Sequence, residues 1–471
     1  MTSRPISHVP WGWSHLPPRV RQAFTGRIAK AASWTALAML IGQIIRLGGN
    51  LIMTRILPPE MFGVMAIVLA VQITLAMLLD IGLRTALIQS PRGDDERLLN
   101  TAWTMQIIRC VMIWLITVLL AVSIPLGVQI GLFPAGSTWT TPDLPLVLVV
   151  ASFGVVIHGF ESTNAITAER NLSLKRLVLI QLAGQFVGLI LMILVGALTG
   201  SIWALVASGL SSTLVVTVLT HIALPGIANR LAWDKDARAE LSRFGSWILL
   251  SSGAFVLASN ADRIILGALV DPTTMGLYAI ALNLAMLITG IGSAFVNSVV
   301  VPALSEVARE DQTRFRNKYF QLRLPWDIAL LLSCGGLFAL GPLVVQILYD
   351  DRYLAAGQML QILALSLIFF RYNFTNMTYI AAGRPSYVAA VNVVRLISIV
   401  GLLALLYSMF GFTGALFAVS LHMLPVIPVM YFFNRKLDLN SVRFEALVLL
   451  AVPVGYGAGW LLLLLANSII G

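Results

Sequence analysis

Apolar runs long enough to cross a bilayer follow one another along most of this chain, and no other feature restricts its fold as strongly. Hydrocarbon offers no water to unpaired backbone N–H and C=O groups, so a spanning segment is either a helix or a strand of a closed barrel. A helix needs about 20 apolar residues to cross, whereas a barrel strand needs about 10 of alternating character. The runs here are long and continuous: about 31–56, 62–90, 98–124, 144–168, 176–199 and 201–222, then about 246–270, 275–302, 324–349, 355–382, 387–410 and 412–433, and a last at about 444–469. The expected fold class is an all-α polytopic membrane protein of about thirteen spans. Composition agrees, since 58% of residues are hydrophobic, 11% are charged and the mean hydropathy is +0.88, values foreign to a soluble domain of this length. The first run is too long for a signal-peptide core and no small-residue cleavage pattern follows it, so it is expected to stay as a span.

The runs also repeat. A shift of 213 positions places Ser33-Trp34 on Ser246-Trp247, Pro59 on Pro272, Gly63 on Gly276 and Ala66 on Ala279. Each copy is a helical hairpin with a Pro-containing turn, and six spans per half would insert both copies in the same direction. That predicts a parallel repeat with a central seam. The expected division is a basic cytoplasmic leader at 1–30, an N-lobe at 31–222, an inter-lobe loop at 223–245, a C-lobe at 246–433 and a C-terminal loop and extra helix at 434–471. The last part of the leader, from Arg19 to Lys30, is expected to lie on anionic headgroups as an amphipathic helix.

Orientation follows from Lys and Arg in the short loops. With the leader in the cytoplasm, the inside segments hold basic residues from Arg4 through Arg443, whereas the outside loops hold Arg352 alone. The net charge of +10 is then a topology signal. These residues border a bilayer without an aromatic-interleaved patch, which argues against a nucleic-acid partner.

Charges inside the apolar runs carry the functional signal: Arg46, Arg55, Arg84, Arg109, Arg263, Arg371 and Arg395, with Asp80, Glu161, Asp262 and Asp327. An Arg at a helix centre costs about 2.5–3.5 kcal/mol on insertion scales, so it should face water, a partner charge or a ligand. Arg55, Arg84, Asp80 and Asp327 lie near run ends, within reach of the interface by snorkelling. Gln43, Arg46 and Asn50 share one face of the first helix, Ser252, Ser259 and Arg263 one face of the seventh, and Arg371, Thr375 and Thr378 one face of the tenth. Arg109 is central in the third, and Asn392 with Arg395 falls in the inner half of the eleventh. Five deep arginines thus face two deep carboxylates, and an anionic ligand is the economical balance, with guanidinium suited to bidentate phosphate or carboxylate binding. The competing account is that each Arg is buried glue paired with Glu161, Asp262 or backbone carbonyls. Glu161, with His158 one turn away, and Asp262 could carry a coupling proton or sodium ion, or compensate the arginines.

Other chemistry is not supported. Cys110 and Cys334 lie in apolar runs outside any ligand-spaced cluster and read as packing residues, and His221 and His422 read as satisfied core residues. No Gly-rich phosphate loop followed by Lys, no HExxH, no Cys-His cluster and no nucleophile triad is present, and Gly93 to Glu96 is a solvated turn. No metal, cofactor or catalytic residue is expected.

Four stretches resemble a known family: Arg55-Ile-Leu-Pro-Pro-Glu-Met-Phe-Gly-Val-Met-Ala66, Asp80-Ile-Gly-Leu-Arg-Thr-Ala-Leu-Ile-Gln89, Ala168-Glu-Arg-Asn-Leu-Ser-Leu-Lys-Arg176, and Asp262-Arg-Ile-Ile-Leu-Gly267 followed by Met275-Gly-Leu-Tyr-Ala279. They look like the polysaccharide-transporter family of the multidrug/oligosaccharidyl-lipid/polysaccharide flippase superfamily. The resemblance implies two six-helix lobes around a cavity that opens alternately to each side of the bacterial inner membrane. It implies an undecaprenyl-diphosphate-linked oligosaccharide as cargo for O-antigen, capsule or exopolysaccharide assembly, and polysaccharide polymerase or export machinery as candidate partners. Many members carry a fourteenth helix, and this chain is read as stopping after a thirteenth. Arg46, Asn50, Gln43, Arg109, Arg263, Arg371 and Arg395 are the expected substrate-binding residues of a cationic cavity. A multidrug exporter of the same superfamily should instead show excess carboxylates in the cavity. A membrane-embedded glycan polymerase or ligase should show a large outside loop with catalytic residues, and the longest here, about 125–143, contains one acidic residue and no His.

Overall fold

The structure, a computed structural model, describes residues 39–296, 300–308 and 312–470. The leader, Ser33, Trp34 and the start of the first run lie outside them. Among the described residues all regular structure is helical. The first part of the chain supplies α1 (39–56), α2 (Pro59–Leu78), α3 (Leu83–Gln89), α4 (Glu96–Gln129), α5 (Leu144–Gly159), α6 (Asn164–Arg170), α7 (Leu174–Thr199) and α8 (Trp203–Ile222). The second supplies α9 (Lys235–Leu269), α10 (Pro272–Phe295), α11 (Val301–Val307), α12 (Gln312–Leu348), α13 (Ala355–Ala364), α14 (Ser366–Phe370), α15 (Asn373–Ala381), α16 (Pro385–Leu421) and α17 (Ile427–Lys436). Then come α18 (Val442–Leu449) and α19 (Ala451–Ile470).

Nine helical stretches among the described residues are long and apolar enough to cross a membrane, or ten if α5 and α6, bent by 65° at their junction, form one span. Thirteen were expected. The difference falls at α1, of which the described residues contain only part, at α9, and at residues 385–436, where one continuous stretch covers two expected spans. Within that stretch Gly411 breaks the helix at φ 59°, a left-handed conformation that glycine adopts without a Cβ clash.

Local chemistry sets the ends. Pro59 and Pro272 open α2 and α10, where the missing N–H removes a donor that a helix leaves unpaired in any case. The Asp95 carboxylate caps α4 through Arg97 N, and Asp234 caps α9 through Asp236 N and Ala237 N. The second cap changes the expected layout. The inter-lobe loop becomes helical from Lys235 onward, and α9 runs for 35 residues without a break. Its first turns bury Ala237 and Leu241 against Leu83, Leu87, Leu98 and Leu99 of α3 and α4. Ahead of it, the extended segment 227–234 is stapled to the first half: Asn100, Thr101 and Thr104 on α4 accept from the backbone N–H groups of Arg230, Asp234 and Ala232.

Packing is strongest between α7 and α8, α12 and α19, α2 and α10, and α4 and α5. The α2–α10 crossing joins repeat mates. A Cβ on Gly63 would lie 2.1 Å from Pro272 O, and one on Gly276 would lie 1.9 Å from Pro59 O. The two backbones therefore touch reciprocally where no side chain fits. Thr273 Oγ1 donates to Glu60 Oε1 at 2.7 Å, again between positions 213 apart.

Hydrogen bonds between residues 39–222 and 253–470 fall, among the described residues, at this same end of the bundle. Thr138 N and Oγ1 donate to Val270 O, and Trp139 Nε1 donates to Ile264 O. The Arg352 guanidinium donates to Thr54 O and Arg55 O at the C-terminus of α1, and the Tyr353 hydroxyl to Leu57 O. Helix C-terminal carbonyls lack intrahelical donors and carry partial negative charge, so a guanidinium suits them. The two halves are clasped at this end.

Candidate functional site

Three helix faces lead from the clasped end into the space between the halves, each buried beside the clasp and half-buried or exposed farther from it. On α1 the face runs through Leu57 and Thr54, both 0% exposed, to half-buried Asn50, exposed Arg46 and half-buried Gln43. On α9 it runs through Val270 and Leu266, both buried, to half-buried Arg263 and Ser259 and then Phe255, which is 41% exposed. On α10 the face that carries Gly276 continues through buried Ala279 to exposed Asn283 and to Met286 at 48%. Residues three and four apart share a helix face, so each series is one stripe. The three faces describe a cleft sealed at the clasp and open at the opposite end.

Arg263 points into that cleft. Its Nη1 donates to Asn260 Oδ1 at 3.1 Å, and its Nη2 reaches Met286 Sδ at 3.5 Å across to α10. No carboxylate is within ion-pair distance of it among the described residues. Arg46 donates to Gln43 Oε1, its own neighbour one turn away. The stripe of α1 that holds both, with Asn50, lies apart from exposed Ile41, Ile44 and Ile52 and borders the face of Gly42, Gly49 and Met53, which meets α7. The repeat relates Asn50 to Arg263 and Arg46 to Ser259, so the stripes of α1 and α9 are equivalent surfaces of the two halves. Arg395 is near the same α9 face: its guanidinium carbon is 5.9 Å from the Phe255 ring centroid and its Nε donates to His422 Nε2 at 3.1 Å.

Two expected cavity arginines are elsewhere. Arg371 is buried in the second half, with Nη1 3.0 Å from Asp327 Oδ2 and Nη2 2.6 Å from Glu445 Oε2. Arg323, expected at the cytoplasmic boundary, is fully buried beside it, 3.1 Å from the same Asp327 oxygen and 2.8 Å from Glu445 Oε1. Asp327, expected to snorkel, is 0% exposed. Two cations and two carboxylates from α12, the α14–α15 junction and α18 thus neutralise one another, with the Tyr372 hydroxyl donating to Glu445 Oε2 at 3.1 Å. Arg109 pairs with Asp80 at 2.5 Å, and Arg84 with Glu169. The expected five-to-two imbalance therefore shrinks, because Asp80, Asp327 and Glu445 are partners that reading position along the runs left out of that balance. What persists is local: Arg46, Arg263 and Arg395 rest on amides, sulfur and imidazole.

Neither Asp262 nor Glu161 pairs with an arginine among the described residues. Asp262 is buried and accepts from the Tyr278 hydroxyl. Glu161 sits 2.9 Å from His158 Nδ1 at the α5–α6 break, whose carbonyls take up side chains from two neighbouring helices: Gln106 Nε2 donates to His158 O and Gly159 O, and His221 Nε2 lies 2.7 Å from Phe160 O. His422 bonds Val419 O through Nδ1, so both isolated histidines are satisfied. Cys110 and Cys334 are buried and free. No cluster of metal-ligating side chains occurs among the described residues. Composition along the runs gave no weight to Phe255, Asn283 and Met286. Phe255 does stand four residues before Ser259 and eight before Arg263, a spacing that puts it on the same stripe.

Comparison with known proteins places these features in context. The profile of a family described as polysaccharide biosynthesis protein matches residues 52–358. An uncharacterised membrane protein in the cps region of Klebsiella pneumoniae is 21% identical over 445 residues, 93% of this chain and 89% of its own length. The succinoglycan biosynthesis transport protein ExoT of Rhizobium meliloti (strain 1021) is 21% identical over 67% of this chain and 61% of its own length, and the lipopolysaccharide biosynthesis protein WzxC of Escherichia coli (strain K12) 22% over 70% and 65%. In structure the chain is similar to the lipid II flippase MurJ in an inward closed conformation, with TM-score 0.68 and 13% identity over 89% of this chain and 91% of that one. It is also similar to an inward-facing multidrug resistance MATE transporter, with TM-score 0.62 and 14% identity over 86% and 98%.

Proposed function

Because the chain belongs to the polysaccharide biosynthesis protein family, we propose that it is a flippase carrying an undecaprenyl-diphosphate-linked oligosaccharide across the bacterial inner membrane by alternating access. The observation that carries this reading is the cleft itself: clasped at one end, open at the other, and furnished on equivalent faces of its two halves with Arg46 and Arg263, neither held by a carboxylate among the described residues. In this reading the lobes are 31–222 and 246–433, the leader is cytoplasmic, and the open end faces the cytoplasm where the lipid-linked glycan is made. The diphosphate needs compensating charge in a low-dielectric layer, and guanidinium supplies both charge and paired donors. The prenyl chain stays in the bilayer throughout. Rocking one half against the other would open the clasp and close the opposite end.

A multidrug exporter of cationic compounds is disfavoured by the same geometry, since the cleft stripes carry guanidinium, amide and hydroxyl groups while Asp262 is buried under Tyr278. Of the two carboxylates suggested for a coupling cation, Glu161 is the better placed, because its partner His158 is 55% exposed while Asp262 is buried under Tyr278. The reading is tested by deleting the gene: lipid-linked glycan should accumulate on the cytoplasmic face and clear on complementation with wild type but not with Arg263→Ala. Glycan export unaffected by deletion would overturn it.

A further inference from the structure

We propose that Phe255 is the sugar-facing platform of the cleft, stacking on a pyranose of the cargo while Arg263 holds the diphosphate; the proposal rests on the flippase reading above. Phe255 is a large apolar ring, 41% exposed, on a stripe whose next two members toward the clasp, Ser259 and Arg263, are polar. A surface of that mixed kind suits a ligand that is itself mixed. A pyranose presents an apolar C–H face and a rim of hydroxyls, and protein sites for such ligands combine aromatic walls with a few placed polar groups. The neighbours supply those groups. The Arg395 guanidinium, 5.9 Å from the ring, is fixed by its bond to His422 Nε2, and His422 is in turn fixed by donating from Nδ1 to Val419 O at 2.6 Å. Ring and guanidinium are thus mutually positioned before any ligand arrives, which lowers the ordering cost of binding.

Placement along α9 separates the two roles. Phe255 and Arg263 are eight residues apart on one face, about 12 Å at the helical rise, so they contact different parts of one ligand. Phe255 is the more exposed and lies toward the open end of the cleft. A cargo entering by that end with its diphosphate drawn to Arg263 leaves its sugars beside Phe255. Because every pyranose has a C–H face, the platform reads ring shape and tolerates differences in hydroxyl pattern.

The test is binding by the full chain in nanodiscs, with undecaprenyl diphosphate bearing a hexose disaccharide compared with sugar-free undecaprenyl diphosphate. Phe255→Ala and Phe255→Leu should bind the glycolipid about tenfold more weakly, the equivalent of one stacking contact, and the sugar-free lipid as wild type does. Phe255→Tyr and Phe255→Trp should stay near wild type for both, and they remain informative if the alanine variant folds poorly. Equal loss on both lipids, or glycolipid binding by Phe255→Leu equal to wild type, would overturn the proposal. Wild type that binds both lipids equally well would overturn it while leaving the flippase reading intact. Wild type that binds neither would overturn both.

Discussion

Two sets of intramembrane arginines can be compared in this molecule. In the second half, Arg323 and Arg371 are buried with Asp327 and Glu445 in a closed, charge-neutral knot. In the cleft, Arg46 and Arg263 are partly exposed and bonded to Gln43, Asn260 and Met286. Both sets bear the cost of charge within a membrane protein. The first meets it internally and has no capacity left for a ligand, whereas the second meets it with neutral partners and keeps its charge available. An arginine within an apolar run is therefore a site signal only when its partner is known to be neutral.

The largest effect should come from breaking the knot. Asp327→Ala leaves two buried guanidiniums with Glu445 alone, and unpairing a buried charge costs about 3–5 kcal/mol. Little folded protein should reach the membrane, as measured by abundance and thermal unfolding in detergent. Arg371→Ala should also lower abundance, and it should do so before any effect on transport can be scored. Normal abundance for both would mean that the knot is not structural. The double variant Arg323→Met with Asp327→Leu should regain part of the stability, since a buried ion pair exchanged for apolar packing is often neutral or better.

Next in size is the repeat crossing. Gly276→Ala would put a methyl group 1.9 Å from Pro59 O, so α2 and α10 must part. Overpacking of this kind costs about 1–3 kcal/mol, and here it acts on the clasp. Thermal stability should fall, and a cysteine at Thr54 should become reachable by a membrane-impermeant thiol reagent. Unchanged stability and labelling would show that the crossing yields more easily than the geometry implies.

Cleft variants should give the opposite signature. Arg263→Ala and Arg46→Ala should leave abundance near wild type and reduce glycan export by about tenfold or more, the value of one charge-assisted hydrogen bond. Lys should restore it only in part, because it lacks the planar paired donors. Recovery of export on pairing Arg263→Ala with Asp262→Asn would return Arg263 to the class of structural glue.

The contrast explains what could be read without coordinates. The all-helical class follows from run length, because hydrocarbon leaves few alternatives, and the 213-residue shift matched Gly63 to Gly276; that their backbones touch was not legible, because a repeat makes surfaces equivalent without saying which of them meet. The polar stripe of Gln43, Arg46 and Asn50 was legible from helical spacing alone. The fate of Arg371 was not, because its partners come from α12 and α18, distant in sequence, and Glu445 stands in a segment that looked like an appended tail. Position along a run gives depth but not lateral neighbours, so Asp327 passed for an interfacial residue. Phe255 was overlooked for a related reason: its spacing puts it on the stripe of Ser259 and Arg263, but among so many apolar residues it took exposure inside a cleft to single it out.

The smallest expected effect concerns Arg352, the one basic residue that the orientation reading places in the outside loops. Its guanidinium donates to Thr54 O and Arg55 O across the halves, and Asp350 grips it through two oxygens at 2.6 and 3.1 Å. The Asp350 carboxyl is held below its ordinary range chiefly by that side-chain bond, aided by the charge of Arg352. A carboxyl with a lowered folded value contributes stability that is present above its unfolded value of about 3.9 and is lost as pH falls below that through the folded one. Between pH 5 and 8 the clasp should accordingly be insensitive to pH, and loosening should begin only in acid below about pH 4. Because both side chains are partly exposed at the surface, the pair itself is worth only about 0–1 kcal/mol, and Arg352→Ala should shift the balance between the two orientations by a few-fold at most. The measurement is the labelling rate of a cysteine at Thr54 in an otherwise cysteine-free chain, at pH 8, pH 5 and below pH 4, each divided by the rate of a free thiol at the same pH, with and without Arg352→Ala. A several-fold pH response between 5 and 8 in the wild-type background would assign the clasp to some group other than Asp350.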